Sequence, residues 1–542
     1  MRRDLERLAN DVYDVVVIGG GISGVWIAWD AALRGLRVAL VERGDFGGAT
    51  SANSMKTVHG GLRYLQDGDL RLIRRMILER SAFLRIAPHL ARPLAFVMPT
   101  THHLMRSRSA MRAALKLNDL IGFDRNRTLH PLRRLPDSRI LSRAECLELL
   151  PGLPAEGVTG GAVWYDAQVH NTERLLLSVI LSAVERGAAV ANYVTVTDFL
   201  RKQDRVIGVK AQDTSSGQEL DIRARVVVNA AGAWIDSLLR ALGKPQPIRF
   251  PLSTAVNLVT RQVIPEYAAA VRSNYVTAEG KRSNQLILAP WREYSIVGTF
   301  HSLYEGHPDE YRVTQADIEH YLGEANSAYP GAELKPDDVR WVHYGFVPAV
   351  PNGKGRVEFV RRARVHDHQR EDGIEGLISA VGVKYTTARH LAEQVVDLTF
   401  AKLHEKSPPC RTAHTPVRGG DMGHLWDCYE RADALTRHLL DTYGSDYTRI
   451  QRYFGENPDW KTPLSSTCAV TQAEVVHAAR EEMAQTLADV VLRRTELGSA
   501  GLPDDDSLRT CAQIMARELN WSPACVEEEI HAVVQSRTKV TA

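Results

Sequence analysis

The chain's regular patterning opens with Asp14-Val-Val-Val-Ile18, a short run of β-branched residues that fits a strand buried on both faces. The run passes straight into Gly19-Gly-Gly21-Ile-Ser-Gly24, and the apolar residues from Val25 to Leu33 then take helical form. A second strand is expected from Arg37 to Val41, ending on Glu42. Between Leu104 and Leu135, Arg108, Arg112 and Lys116 would line one face of a helix, and Ala110, Ala113, Ala114, Leu117, Leu120 and Ile121 another. Beyond Cys410 the chain reads as helices. Thr471 and Glu474 make a capping box before a helical stretch through Arg494, and Ser522-Pro523 sets an N-cap before proline at the first helical position.

Strand, glycines, helix, strand and terminal acid occur in the order that gives G-x-G-x-x-G its meaning as a dinucleotide site. Gly19 permits the tight turn, Gly21 lets a pyrophosphate approach the backbone, and Gly24 lets the helix pack closely on the strand. The helix N-terminus supplies partial positive charge, and Ser23 is a further candidate contact. Glu42 lies where a carboxylate accepts hydrogen bonds from a ribose, and it would repel the ribose phosphate of NADP. The motif leaves FAD and NAD both open.

At 542 residues, 44% of them hydrophobic, the chain is long enough for two or three domains. Its 67 basic and 65 acidic residues leave a formal net charge of +2, so no global field selects nucleic acid as a partner. The 6 cysteines form no C-x-x-C pair, which fits reduced thiols in a cytoplasmic protein, and no metal site is expected. No apolar stretch reaches the roughly 20 residues that span a bilayer. If the protein meets a membrane it lies on the surface, and the eight basic residues between Leu104 and Leu135, Arg106 to Arg134, against Asp119 and Asp124, suggest a peripheral contact.

The segment Gly47-Gly-Ala-Thr-Ser-Ala-Asn-Ser-Met-Lys-Thr-Val-His-Gly-Gly-Leu-Arg-Tyr-Leu65 resembles the flavin-contacting signature of FAD-dependent glycerol-3-phosphate dehydrogenases, within the D-amino-acid oxidase-like flavoproteins. The resemblance implies FAD, wrapped by Thr50, Ser51, Ser54, Lys56, His59, Gly60 and Gly61. Hydroxyls and backbone amides would satisfy phosphate and ribityl oxygens, while paired glycines leave room for a flat ring. Val226 to Trp234 resembles the strand and turn set against the cofactor, which brings in Ala230, Gly232 and Trp234. Trp164-Tyr165-Asp166-Ala167 resembles the stretch before a family helix, here Thr172 to Arg186, and Leu377 to Thr387 resembles the late strand and turn that return to the ring, with Gly382 and Thr386.

The fold so implied is α/β: a Rossmann-like FAD-binding domain of the glutathione-reductase type, an α+β substrate domain and a helical C-terminal domain. Residues 1–405 would hold the FAD domain, with substrate and cap segments interleaved at about 63–160 and 240–350, and residues 410–542 the helices.

The substrate half departs from the family. A terminal phosphate asks for arginine, and the family's two clamp arginines fall on Val347 and Phe359, with Ala255 and His301 at two further altered polar positions. Arg361, Arg362 or Arg364 could reach the same phosphate from a shifted loop. Arg63, Tyr64, Arg249 and Lys384 keep the family pattern, and His343 and Tyr344 stand where it has Tyr and Ser. The expected activity is dehydrogenation of a small substrate less anionic than glycerol 3-phosphate, with a C–H beside a hydroxyl or amine, the electrons passing to quinone or oxygen, and glycerol 3-phosphate itself is expected to be a poor substrate. Lys384, His343 and His301 are the candidate catalytic groups, and Arg63, Tyr64, Arg249 and Tyr344 the candidate substrate contacts. A genuine glycerol-3-phosphate dehydrogenase and a catalytically silent flavin-binding protein are the alternative readings.

Overall fold

The computed structural model describes residues 1–243, 251–272, 285–351, 357–466 and 468–537. The strand Val12–Ile18 lies at the centre of a sheet, pairing in parallel with Glu219–Asn229 on one side and Val38–Val41 on the other. Ala189–Ala191 and Leu377–Val381 extend it in parallel, and Arg364–Asp367 closes one edge antiparallel. Alternate residues of the central strand serve two cores, which is why it carries no polar face. Val15 and Val17 pack with Trp26, Trp29, Leu176 and Val395 from the helices Ile22–Leu33, Thr172–Glu185 and Ala388–Leu403. Val16 and Ile18 pack the other way, on Val196, Val209 and Ile222.

A second, ten-stranded sheet draws its strands from two separated parts of the chain. Ala91–Thr100 and Gly160–Val169 come from the first part, and Leu252–Arg261, Tyr294–Tyr304 and Val339–Pro351 from the second, joined where Ala268–Arg272 pairs with Ala91–Thr100. The sheet is mixed: most of its pairs are antiparallel and that junction is parallel.

Helices from Trp426 onward pack around Leu439, Val475, Leu508 and Met515. Thr471 N–H donates to Glu474 at 2.6 Å, and Cys525 N–H to Ser522 at 3.2 Å, as the caps anticipated. The expected unbroken helix from Thr471 to Arg494 does not form. Gln472–Glu481 ends before Met483, whose φ is +58°, and Leu487–Asp489 then leads into a widened turn over Val490–Arg494. Among the described residues, no helix is long and apolar enough to cross a membrane.

Candidate active site

The two sheets meet along a cavity of about 1830 Å³ into which the glycine turn opens. Gly19 adopts φ +104°, a conformation L side chains avoid, and a Cβ on Gly24 would lie 1.9 Å from the Gly19 carbonyl oxygen. Gly24 therefore serves helix-on-strand packing, while Gly21 and Ser23 face the cavity. Glu42 lines it too, accepting from the Gly20 and Gly44 amides at 2.7 and 2.9 Å. Burial raises its pKa.

Ser51 accepts the Ile22 amide at 2.9 Å, fixing the loop 47–54 to the helix start. Thr50 accepts from the Phe346 amide at 3.0 Å, which ties that loop to the second sheet. Thr50, Ser51, Ser54 and His59 all line the cavity, as do Ala230, Gly232, Trp234, Gly382 and Thr386. Gly60 and Gly61 stand behind the lining. The Gly60 amide donates to Asp166, and Gly61, at φ +80°, lets the chain turn over Met76.

Two expectations fail on placement. Lys56 is 1% exposed and points away from the cavity, its Nζ 2.8 Å from both Glu173 and Thr172. Desolvating an ammonium requires a carboxylate partner, and Glu173 is that partner; the charge of Lys56 is used in the core. His343 lies on Val339–Pro351 beside Tyr344, and neighbours on a strand point to opposite faces. Tyr344 lines the cavity, whereas His343 is buried against Trp291, ring centroids 5.9 Å apart. Arg249 lies outside the described residues.

Arg63, Tyr64, His301 and Lys384 do reach the cavity, and Val347 and Ala255 line it as apolar groups. Among Arg361, Arg362 and Arg364, Arg361 alone lines it; the other two pair with Asp69 and Glu371. Arg63 and Lys384 both lie near the Tyr64 ring, at 5.2 and 5.3 Å from its centroid. Lys384 Nζ donates to the Arg361 carbonyl. Burial, reinforced by Arg63 and Arg361, brings the Lys384 pKa down to about 8. Two described acids stand beside this group: Asp67, 3.3 Å from Arg361, and Asp69, which pairs with Arg362 and acts on Lys384.

Burial also lowers the pKa of His59 and of His301 to about 4, so both rings are neutral at pH 7. His301 Nδ1 lies 3.0 Å from the Thr254 carbonyl, which can only accept, so Nδ1 carries the proton and Nε2 is the basic nitrogen. Arg63 influences His59, His301 and Lys384 alike, marking one cluster of two neutral imidazoles and three cations. Sequence reading singled out His301, Lys384 and Arg63, but placed His59 with the cofactor only and Arg361 as one of three choices. Nothing local in the sequence distinguishes Arg361 from its neighbours.

A glycine turn at the carboxyl end of a parallel sheet, a helix N-terminus and a cavity roofed by a second sheet define a dinucleotide-binding protein. Residues 14–398 match the family model for FAD dependent oxidoreductases, and residues 410–526 that for the C-terminal domain of alpha-glycerophosphate oxidase. The chain is 32% identical over 547 residues to a glycerol-3-phosphate dehydrogenase of Synechocystis, covering 97% of each. It is 31% identical to the mitochondrial glycerol-3-phosphate dehydrogenase of Mesocricetus auratus, covering 96% of this chain and 73% of that one. The structure of glycerol-3-phosphate dehydrogenase from Bacillus halodurans complexed with FAD superposes with a TM-score of 0.75 at 25% identity, covering 99% of this chain and 96% of that one. The chain belongs to the FAD-dependent glycerol-3-phosphate dehydrogenase family, and it is an FAD-dependent dehydrogenase or oxidase.

Proposed function

We propose that the enzyme oxidises a small alcohol or amine that carries an anionic end, glycerol 3-phosphate belonging to this class. The carrying observation is the cluster of Arg63, Lys384 and Arg361 around Tyr64, where cations outnumber the carboxylates: Asp67 pairs with Arg361, and Asp69 is already paired with Arg362. Val347 removes one expected phosphate contact, and each charged hydrogen bond contributes about 1.5–3 kcal/mol; Arg361 supplies a replacement from the neighbouring loop. FAD, held by the glycine turn and the loop 47–54, would supply the hydride acceptor. The chain's own part is to hold the anion with the three cations and to take the hydroxyl or amine proton on His59 or on His301 Nε2, both neutral and in the cavity.

Anaerobic bleaching of the flavin is the test. Glycerol 3-phosphate should reduce it at least a hundredfold more efficiently than glycerol, and Lys384→Met should narrow the gap about tenfold or more. Equal rates with glycerol would overturn the anionic reading. No bleaching by any alcohol or amine tried would favour a silent flavoprotein.

A peripheral membrane contact is part of the same proposal. In the helix Arg108–Ile121, Met111 and Leu115 pack inward, leaving Leu117 and Leu120 outside. Leu104, Leu120 and Phe123 are 80, 70 and 78% exposed. Arg108, Arg112, Lys116, Arg127 and Arg134 are exposed around them, a pairing that suits an anionic bilayer surface. Such a site favours a lipid-dissolved quinone over oxygen as oxidant. Co-sedimentation with anionic but not neutral vesicles, lost in Leu120→Asp/Phe123→Asp, is the expected result; equal recovery with both vesicles excludes it.

A further inference from the structure

The edge strand Arg364–Asp367 turns directly into the short helix His368–Asp372. This turn gathers His366, His368 and Asp372, one donor atom from each lying within 4.8 Å of the others. His366 is 2% exposed and His368 fully buried. Asp372 Oδ2 lies 2.6 Å from His366 Nε2 and 2.7 Å from His368 Nδ1. The second approach is off the line of an N–H, and His368 Nδ1 has no partner in hydrogen-bonding geometry.

The outer nitrogens orient both rings. His368 Nε2 lies 2.8 Å from Ser379 Oγ, and His366 Nδ1 lies 3.1 Å from Glu371 Oε2. His366 Nε2 lies in hydrogen-bonding geometry to Asp372 Oδ2, and a carboxylate only accepts, so without an ion a proton on Nε2 joins the ring to Asp372. Burial, with His366 adding to it, lowers the His368 pKa to about 4, so that ring is neutral. A cation would replace the Nε2 proton and bond to His368 Nδ1, which lacks a hydrogen-bonding partner. Arg364 Nη2 also stands 3.0 Å from His366 Nδ1 while it pairs with Glu371. Nδ1 accepts from it while the proton on Nε2 does the cation's work, and that is the metal-free alternative.

We propose that His366 Nε2, His368 Nδ1 and Asp372 Oδ2 bind a divalent transition-metal ion of the zinc type, with the remaining position open. Neutral imidazole suits zinc, nickel and copper, and three protein ligands leave one corner of a tetrahedron for water. Ser379 and Glu371 then act as the outer groups that fix the ring orientations. Ligands of one tetrahedral ion stand roughly 3.3 Å apart, so the Asp372 carboxylate withdraws by about half an ångström on binding. The ion would clip the edge strand to its helix, beside Leu377–Val381, the strand that leads to Gly382 and Lys384.

Metal-stripped, FAD-loaded protein titrated with Zn²⁺ by calorimetry, and with Co²⁺ by visible absorption, provides the test. One ion per chain is expected, with affinity falling as the pH drops from about 7 to 5 because the histidines must be unprotonated. Ser379→Ala, which deletes only the hydroxyl orienting His368, should weaken binding by about 10–100-fold. His368→Ala should abolish it, with flavin absorbance and circular dichroism reporting that each variant is folded. A wild type that takes up no stoichiometric ion, or a Ser379→Ala variant that binds as the wild type does, overturns the proposal and leaves the cluster as a proton-sharing network.

Discussion

Asp45→Asn should loosen the junction between the cofactor loop and the helical domain. Asp45 is fully buried and accepts from Arg494 Nη1 and Nη2 at 2.6 and 2.8 Å, from Arg493 Nε at 2.5 Å and from Asn192 at 3.0 Å. Burial alone would raise its pKa, but Arg494 and Arg493 outweigh that and hold the carboxyl well below its usual range. The amide keeps the shape and removes the charge, leaving a fully buried guanidinium at Arg494 without its carboxylate. Breaking a buried pair by removing one partner costs about 3–5 kcal/mol, and at roughly 2–4 °C per kcal/mol for a unit of about 150–250 residues the transition should fall by about 6–20 °C. Asp45 lies between Glu42 and the loop 47–54, so FAD should dissociate in the same step. Differential scanning calorimetry, with flavin fluorescence recorded alongside, measures both. A shift below about 1 kcal/mol, or helical-domain melting that leaves flavin release untouched, would show that this ion pair does not couple the two regions.

Gly24→Ala should yield protein without flavin, because its Cβ would stand 1.9 Å from the Gly19 carbonyl and the turn must open; a yellow, stable variant refutes the packing argument. The KM for an anionic substrate should rise as the pH passes about 8, where Lys384 loses its proton, and Lys384→Met should flatten that profile while raising KM at pH 7. Burial lowers the His89 and His170 pKa values to about 3, and that of His301 to about 4, all below the usual 6.5. The unfolded chain therefore takes up protons first, so stability is complete above pH 6.5 and should fall progressively between 6.5 and about 3; thermal melts that stay level across that window contradict it.

The sequence by itself determined the dinucleotide turn. Val15 to Ile18, the spacing of Gly19, Gly21 and Gly24, and the terminal Glu42 are local features: strand period, turn conformation and helix packing are all set within about 30 residues. Tertiary structure decided the rest, because it depends on partners far along the chain. Lys56 reads as a cofactor contact until the fold sets it against Glu173, 117 residues away. Arg494 looks like an ordinary helical arginine until it meets Asp45, 449 residues away. His343 and Tyr344 are adjacent, and only the register of their strand against Leu252–Arg261 determines which of the two faces the cavity; a slip of one residue would exchange them. Arg361 is one of three neighbouring arginines, and the pairing of Arg362 with Asp69 and of Arg364 with Glu371 leaves it as the one that reaches the cavity. Local chemistry thus marks the dinucleotide site, whereas the charge presented to the substrate is a sum over side chains from distant segments, and that sum exists only once both sheets have formed.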